Sequence, residues 1–147
     1  MNNKFINNNI DLVNKNIVLR VDYNVSIKNN KILNSYRIKN SMLTIDFLFK
    51  KNINNLVLIS HLGRPNGKYN LELSLKPIYN FLKEYFPNII FSNLDNCINL
   101  IKYSKNKVIL LENIRFYPEE ERNSDDYNID ILKKKISDLG DVFVNDA

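Results

Sequence analysis

The chain is 147 residues long and 44% hydrophobic, which suits one globular domain and excludes a disordered tail. Its net charge of +5 favours an anionic partner, although a solvated lysine-rich surface accounts for most of that charge. The single cysteine excludes an intrachain disulfide and a cysteine-based zinc site; with no signal-peptide pattern and no membrane-spanning run, we expect a cytoplasmic protein without a membrane partner.

In chain order, five short apolar runs rich in β-branched residues predict buried strands at 17–22, 56–60, 88–92, 107–112 and 141–146. Apolar residues with helical spacing lie between several of these runs, within 38–49, 75–86 and 129–139. Ser74 is a predicted N-cap of the second helix, and Gly140 a predicted left-handed cap after the third. The alternation predicts an α/β domain over 1–147, a Rossmann-like three-layer fold with a parallel sheet and helices on both faces.

Residue types that are rare in this chain cluster where predicted strands end. "DYN" (22–24) follows the first strand, "HLGR" (61–64) the second and "ENIRF" (112–116) the fourth, and the only histidine is His61. Arg37 lies early in the helix after the first loop. Because the carboxyl ends of parallel strands share one edge of a sheet, we expect these segments to meet there.

The charges at that edge indicate an anionic ligand. Guanidinium groups bind phosphate and carboxylate through paired planar donors and never lose their charge. Arg37, Arg64 and Arg115 beside His61 therefore suit a small, doubly anionic, hydroxylated substrate.

Other basic residues have a structural explanation. Arg20 is predicted to form a strand-end salt bridge to Asp22 or Glu112. Arg122, in the run "PEEER", and the run Lys133–Lys135 are predicted to lie on a solvated surface.

The segment "GRPNGKY" is only superficially similar to a nucleotide-binding P-loop. Three residues separate Gly63 from Gly67 where the P-loop needs four, and Tyr69 follows Lys68 where Ser or Thr is required. The sequence also lacks a dinucleotide-binding glycine motif, a cluster of zinc ligands and a serine with a paired base. We therefore predict no nucleotide site and no metal site in this chain.

Six motifs, in order, resemble the N-terminal domain of phosphoglycerate kinases: "RVDYNV", "YRI", "SHLGRPNG", "SLKPI", "LLENIRFYPEEE" and "LGDVFVNDA". The resemblance implies a glycolytic two-domain enzyme, monomeric when full length, that transfers a phosphoryl group reversibly between 1,3-bisphosphoglycerate and ADP, giving 3-phosphoglycerate and ATP. The N-terminal domain of that family binds 3-phosphoglycerate or 1,3-bisphosphoglycerate. The C-terminal domain, absent from this sequence, binds Mg²⁺ with ADP or ATP.

The resemblance also assigns roles to individual residues. It implies a substrate-binding set of Asp22, Tyr23, Asn24, Arg37, His61, Leu62, Gly63, Arg64 and Arg115. Within it, Asp22 and Asn24 hold the glycerate end, while His61 and Arg64 line the basic patch. Arg115 grips the phosphate that is not transferred. Arg37, the one catalytic residue implied, reaches toward the phosphoryl group in transfer.

The chain departs from the family pattern in a few places. Tyr23 stands where Phe is usual, Ser26 where Pro is usual, and Tyr117 where His is common. The sequence stops before the family's "FG…HR" segment, so we expect a fragment or a truncated gene whose product alone is inactive.

Two other functions remain open at this point. One is a truncated, catalytically inactive module that still binds phosphoglycerate. The other is a basic nucleic-acid-binding domain, which should show basic residues interleaved with exposed aromatics along one face. The clustering at strand ends does not have that pattern, so we expect no nucleic-acid partner.

Overall fold

A computed structural model of the protein describes residues 9–121 and 127–147. Within them, one sheet contains β1 (Ile17–Val21), β4 (Leu56–Ile59), β5 (Ile90–Ser92), β6 (Val108–Leu111) and β7 (Val142–Asp146). The strand order is β5-β6-β4-β1-β7, and every neighbouring pair is parallel. The five predicted strands and the parallel sheet are confirmed.

The described helices are α1 (Tyr36–Phe49), α2 (Lys76–Leu82), α3 (Leu94–Tyr103) and α4 (Tyr127–Ser137). Alternate strand residues enter two separate cores: Leu19 and Leu58 pack on the side of α1 and α2, whereas Val18 and Val57 pack on the side of α3 and α4. The prediction of helices on both faces is therefore confirmed. None of these helices is long and apolar enough to cross a membrane.

Helix α3 was not among the predicted elements. Its N-cap is Asn93, whose side chain accepts a hydrogen bond from the backbone N–H of Asn96 at 2.8 Å. Leu94, Cys97 and Ile101 are the buried residues of this helix, and they fill the second core. Burial raises the pKa of the Cys97 thiol to about 12, so this cysteine is an uncharged packing residue at neutral pH.

A small hairpin in the connection between β1 and α1 was also not predicted. It pairs β2 (Ile27–Lys28) with β3 (Lys31–Ile32), and its two turn residues, Asn29 and Asn30, have φ of 50° and 59°. Positive φ at both turn positions is the geometry of a type I′ turn, which Asn tolerates better than most residues. The hairpin forms part of the connection that leads from β1 to the start of α1.

Two predicted helix caps are wrong in detail. Helix α2 has Leu75 as its N-cap, although the Ser74 hydroxyl does accept a hydrogen bond from the backbone N–H of Lys76 at 3.1 Å. Gly140 is not in the left-handed region. A Cβ there would lie 2.8 Å from the Asn16 carbonyl oxygen and 2.9 Å from Val18 Cγ2, so close packing against the start of β1 requires glycine.

Candidate functional site

The segments predicted to meet at the carboxyl edge of the sheet lie side by side. β1 pairs in parallel with β4, which places Arg20 opposite Ile59, and β4 pairs in parallel with β6. The loops after these three strands therefore leave the sheet together. Arg37, the second residue of α1, donates through Nη1 to Asp22 Oδ2 and brings that helix to the same edge.

The loop after β1 is tied to the loop after β4. The backbone N–H of Asn24 donates to Asp22 Oδ1 at 3.1 Å, which folds the "DYN" segment on itself. The backbone N–H of Gly63 then donates to Asn24 Oδ1 at 3.0 Å. The carboxylate and amide proposed to hold a ligand thus also fix the shape of the loops that carry them.

The "HLGR" loop is fixed from its other side by the segment after β6. Asn113, which is buried, donates through Nδ2 to the Leu62 carbonyl oxygen at 2.8 Å. Gly63 has a φ of +61°, and its carbonyl oxygen accepts from Arg115 Nη1 at 3.0 Å. Arg64 is exposed and has no hydrogen bond or ion pair with any other residue that the structure describes.

Arg20 makes the kind of contact predicted for it, with a different partner. Its Nη2 lies 3.0 Å from Glu120 Oε1, so the predicted salt bridge to Asp22 or Glu112 is wrong. Asp22 pairs with Arg37 instead. Glu112 accepts from the backbone N–H of Leu75 at 2.8 Å and so anchors the start of α2.

Glu120 is a site residue that the sequence interpretation missed. Its second oxygen, Oε2, lies 3.2 Å from Arg115 Nε, so one carboxylate bridges Arg20 and Arg115. The only signal was an acidic run shortly after Arg115, and such runs are typical of solvated surface. Arg122, assigned to that surface, lies outside the described residues; Lys133 and Lys135 do lie on the surface, paired with nearby aspartates.

Two members of the predicted substrate-binding set have side chains that point into the core. Tyr23 is fully buried, and its hydroxyl lies 2.9 Å from Ser41 Oγ on α1. Leu62 is also buried and packs in the same apolar core. Only their backbones lie at the edge where the charged residues meet, and the backbone N–H of Tyr23 is already bonded to Ser60 Oγ at 2.9 Å.

His61 lies among these charges and is partly buried. Its pKa is lowered from 6.5, first by burial and then by the neighbouring positive charge of Arg115, while Glu120 and Asp22 oppose the shift. The imidazole is therefore neutral at neutral pH. It gains a positive charge more readily once an anion sits beside it.

The arrangement has the chemistry of an anion-binding site. Its donors are guanidinium and imidazole groups, and the described residues contain no group of three His, Cys, Asp or Glu side chains placed to hold a metal ion. A separate groove between α1 and β7, which includes Leu43, Phe47 and Val144 in its lining, contains none of the predicted site residues.

Comparison with known proteins shows what this chain resembles. The sequence profile of a family described as phosphoglycerate kinase matches residues 7–147. A phosphoglycerate kinase of Borrelia garinii subsp. bavariensis is 44% identical over 139 residues, which cover 90% of this chain. One of Buchnera aphidicola subsp. Baizongia pistaciae is 42% identical over 142 residues.

Solved structures of phosphoglycerate kinases also match this chain. The structure of phosphoglycerate kinase from Coxiella burnetii matches with a TM-score of 0.74 and 34% identity, covering 95% of this chain and 34% of that one. The phosphoglycerate kinase of Pyrococcus horikoshii matches with a TM-score of 0.77 at 27% identity and covers 94% of this chain. The chain spans about a third of the length of the curated relatives it matches, 34% for both bacterial proteins above.

Proposed function

The chain belongs to the phosphoglycerate kinase family, and from that membership we propose that it forms the N-terminal, phosphoglycerate-binding part of a monomeric glycolytic kinase in the cytoplasm. In the proposed reaction, 1,3-bisphosphoglycerate gives its acyl phosphate to ADP, which leaves 3-phosphoglycerate and ATP. Because the chain spans 34% of the length of its relatives, the whole reaction is proposed for the full-length protein. A second domain supplies the nucleotide and Mg²⁺, which neutralises phosphate charge.

The observation that carries the proposal is the position of three arginines, Arg20, Arg37 and Arg115, with His61 at one sheet edge. Arg20 and Arg115 share the carboxylate of Glu120, and Arg37 pairs with Asp22. Asp22 and Asn24, in the loop after β1, supply acceptors for a ligand hydroxyl. This set matches 3-phosphoglycerate, which combines a phosphate, a carboxylate and a hydroxyl.

The proposed mechanism depends on position and charge. The carboxylate that accepts or loses the phosphoryl group is already an anion, so the chain needs no general base. Arg115, oriented by Glu120 and by the Gly63 carbonyl oxygen, binds the phosphate that stays in place. Arg37 neutralises negative charge on the phosphoryl group during its transfer. When the ligand is absent, Arg37 pairs with Asp22.

The direct test is calorimetric titration of the 147-residue chain with 3-phosphoglycerate. Arg115→Ala should raise Kd by about 10-fold or more, since charged hydrogen bonds are worth ~1.5–3 kcal/mol. Lys105→Ala is the matched control, because exposed Lys105 precedes β6 and so lies at the opposite edge of the sheet. Equal effects of the two variants, or equal affinity for glycerate without its phosphate, would contradict the proposal.

The chain alone should bind phosphoglycerate without phosphorylating it. No segment of its sequence has the spacing of a phosphate-cradling nucleotide loop. The measurement is ATP consumption with 3-phosphoglycerate and purified chain, free of host kinase. Turnover that persists through purification and disappears in Arg37→Ala would overturn this part of the proposal.

A further inference from the structure

In the function proposed above, Glu120 only orients Arg115, and the negative charge of its carboxylate has no role. It reaches Arg20 on β1 through one oxygen and Arg115 after β6 through the other, at 3.0 and 3.2 Å. Its side chain is only 12% exposed, against 39% for Arg20 and 23% for Arg115. An acidic group is therefore held at the position where an anion-binding site concentrates its positive charge.

The backbone around Glu120 fixes this position. The carboxylate belongs to the short 3-10 turn Pro118–Glu121, and the backbone N–H of Glu120 donates to the Tyr117 carbonyl oxygen at 3.1 Å. Gly67 packs directly on this turn, since a Cβ at Gly67 would lie only 2.4 Å from Pro118 Cβ. The loop after β4 and the turn that carries the carboxylate thus support each other.

Two consequences follow for a bound anion. Arg115 has its Nε bonded to Glu120 and its Nη1 bonded to the Gly63 carbonyl oxygen, so its guanidinium plane is oriented before any ligand arrives. The negative charge also offsets part of the field of both arginines. An incoming phosphate is attracted less strongly than it would be by two arginines without this carboxylate.

We propose that Glu120 is a positioning residue that sets the affinity of the site: it orients Arg115 and weakens the hold on the phosphate so that the product can leave. This inference rests on the proposed function, because it assumes that the ligand is a phosphoglycerate. Affinity shared equally by ground state and transition state does not raise kcat, and overly tight product binding slows release. A charge-offsetting carboxylate limits that uniform affinity.

The test compares Glu120→Gln with wild type. Gln keeps the size and an accepting oxygen but removes the charge, so Kd for 3-phosphoglycerate should fall by about 5-fold. Glu120→Asp keeps the charge and should not tighten binding. Glu84→Gln makes the same charge change at an exposed residue just beyond α2 and should leave Kd unchanged. Weaker or unchanged binding by Glu120→Gln would overturn the inference and show a merely structural ion pair.

A second readout separates this inference from the proposed function. His61 is the only histidine, so its NMR signals are unambiguous, and titrating sulfate against them measures anion binding without phosphoglycerate chemistry. Glu120→Gln should tighten sulfate binding and lower the His61 pKa further, whereas Glu84→Gln should change neither. Tightening for sulfate with no binding of 3-phosphoglycerate would refute the proposed function alone. Unchanged sulfate affinity in Glu120→Gln, or none in either protein, would refute the inference.

Discussion

The charged residues at the sheet edge form two groups that the fold holds very differently. The bridged cluster, Arg20, Arg115 and Glu120, is tied together by two ion pairs, and Arg115 has a further bond to a backbone carbonyl. The exposed pair, Arg37 and Asp22, has one ion pair between side chains that are 54% and 35% exposed.

The difference indicates that the two groups have separate roles. An exposed ion pair is worth only ~0–1 kcal/mol, so Arg37 leaves Asp22 at little cost. Arg115 is partly buried and oriented by two partners, so it is ready for a ligand group that stays still. Under the proposed function, the bridged cluster would therefore bind the phosphate present throughout the reaction, and Arg37 would contact the phosphoryl group that moves.

The largest expected effect comes from Arg37→Lys in a full-length enzyme that carries this segment. Lysine keeps the charge but loses the planar donor pair that a phosphoryl group in transfer requires. We expect kcat to fall by about 100-fold, comparable with the loss of other donors that stabilise a transition state, while the 3-phosphoglycerate Kd stays within about twofold. Steady-state kinetics beside calorimetry measures both quantities. A raised Kd with unchanged kcat would show that Arg37 binds the ground-state substrate. The bridged cluster and the exposed pair would then not differ in role.

Gly67→Ala tests the support of the bridged cluster. Gly67 has a φ of +69°, and an added Cβ would lie 2.5 Å from Pro118 Cα, so both backbone strain and overlap oppose the change. We expect the free energy of unfolding to fall by about 2 kcal/mol or more, and the 3-phosphoglycerate Kd to rise. Urea unfolding followed by circular dichroism gives the first quantity, and calorimetry gives the second.

Gly140→Ala is the control for that experiment. A Cβ at Gly140 meets the Asn16 carbonyl oxygen at 2.8 Å, beside the start of β1 and so far from the carboxyl edge. It should lower stability and leave Kd unchanged. Equal losses of affinity in both variants would mean that binding follows overall stability and not the support of the cluster.

A smaller effect is expected from Arg115→Lys. Lysine reaches toward the same phosphate but cannot also pair with Glu120 through Nε and with the Gly63 carbonyl oxygen through Nη1. The 3-phosphoglycerate Kd should rise about 10-fold with kcat changed little, the opposite of the split for Arg37→Lys. Calorimetry and kinetics on the same preparation check this. If Arg115→Lys lowered kcat as much as Arg37→Lys, the two groups would share one role.

Much of the fold was predictable because buried strands have a strong signal. Runs such as "LVLI" at β4 are buried on both faces of the sheet, so every residue in them is apolar. Turns were harder to identify in this composition. Asn residues take positive φ at six described positions, among them Asn29, Asn30 and Asn66, where a more typical sequence would carry glycine. Because Asn is frequent throughout the sequence, the "NN" at the turn of the hairpin could not be distinguished as a turn signal.

The location of the site was predictable and its pairings were not. Parallel topology alone brings the ends of β1, β4 and β6 together. The choice of Glu120 over Glu112 as the partner of Arg20 depends on how the chain folds after β6, which has no local signal. Tyr23 is different, because strand alternation predicts its burial: it continues the inward series of Leu19 and Val21. Motif similarity alone had placed it among the residues that contact substrate.

Tyr23→Phe has the smallest expected effect. Tyr23 lies between Asp22 and Asn24, which are proposed to contact the ligand, and the variant tests whether Tyr23 itself contributes only to stability. The Tyr23 hydroxyl bonds to Ser41 Oγ, which also donates to the Ile38 carbonyl oxygen at 2.8 Å and so keeps a partner in the variant. The free energy of unfolding should fall by about 1 kcal/mol, while the 3-phosphoglycerate Kd stays within about twofold.

Burial raises the pKa of Tyr23 from 10.0 to about 12, so the folded state holds this proton more tightly than the unfolded state. The resulting stability is complete below pH 10 and is lost as the pH rises toward 12, and Tyr23→Phe should lack this loss. Urea unfolding at pH 8 and pH 11 measures it. An unchanged difference between wild type and variant at the two pH values, or a Kd raised 10-fold, would show that the hydroxyl faces the site and not the core.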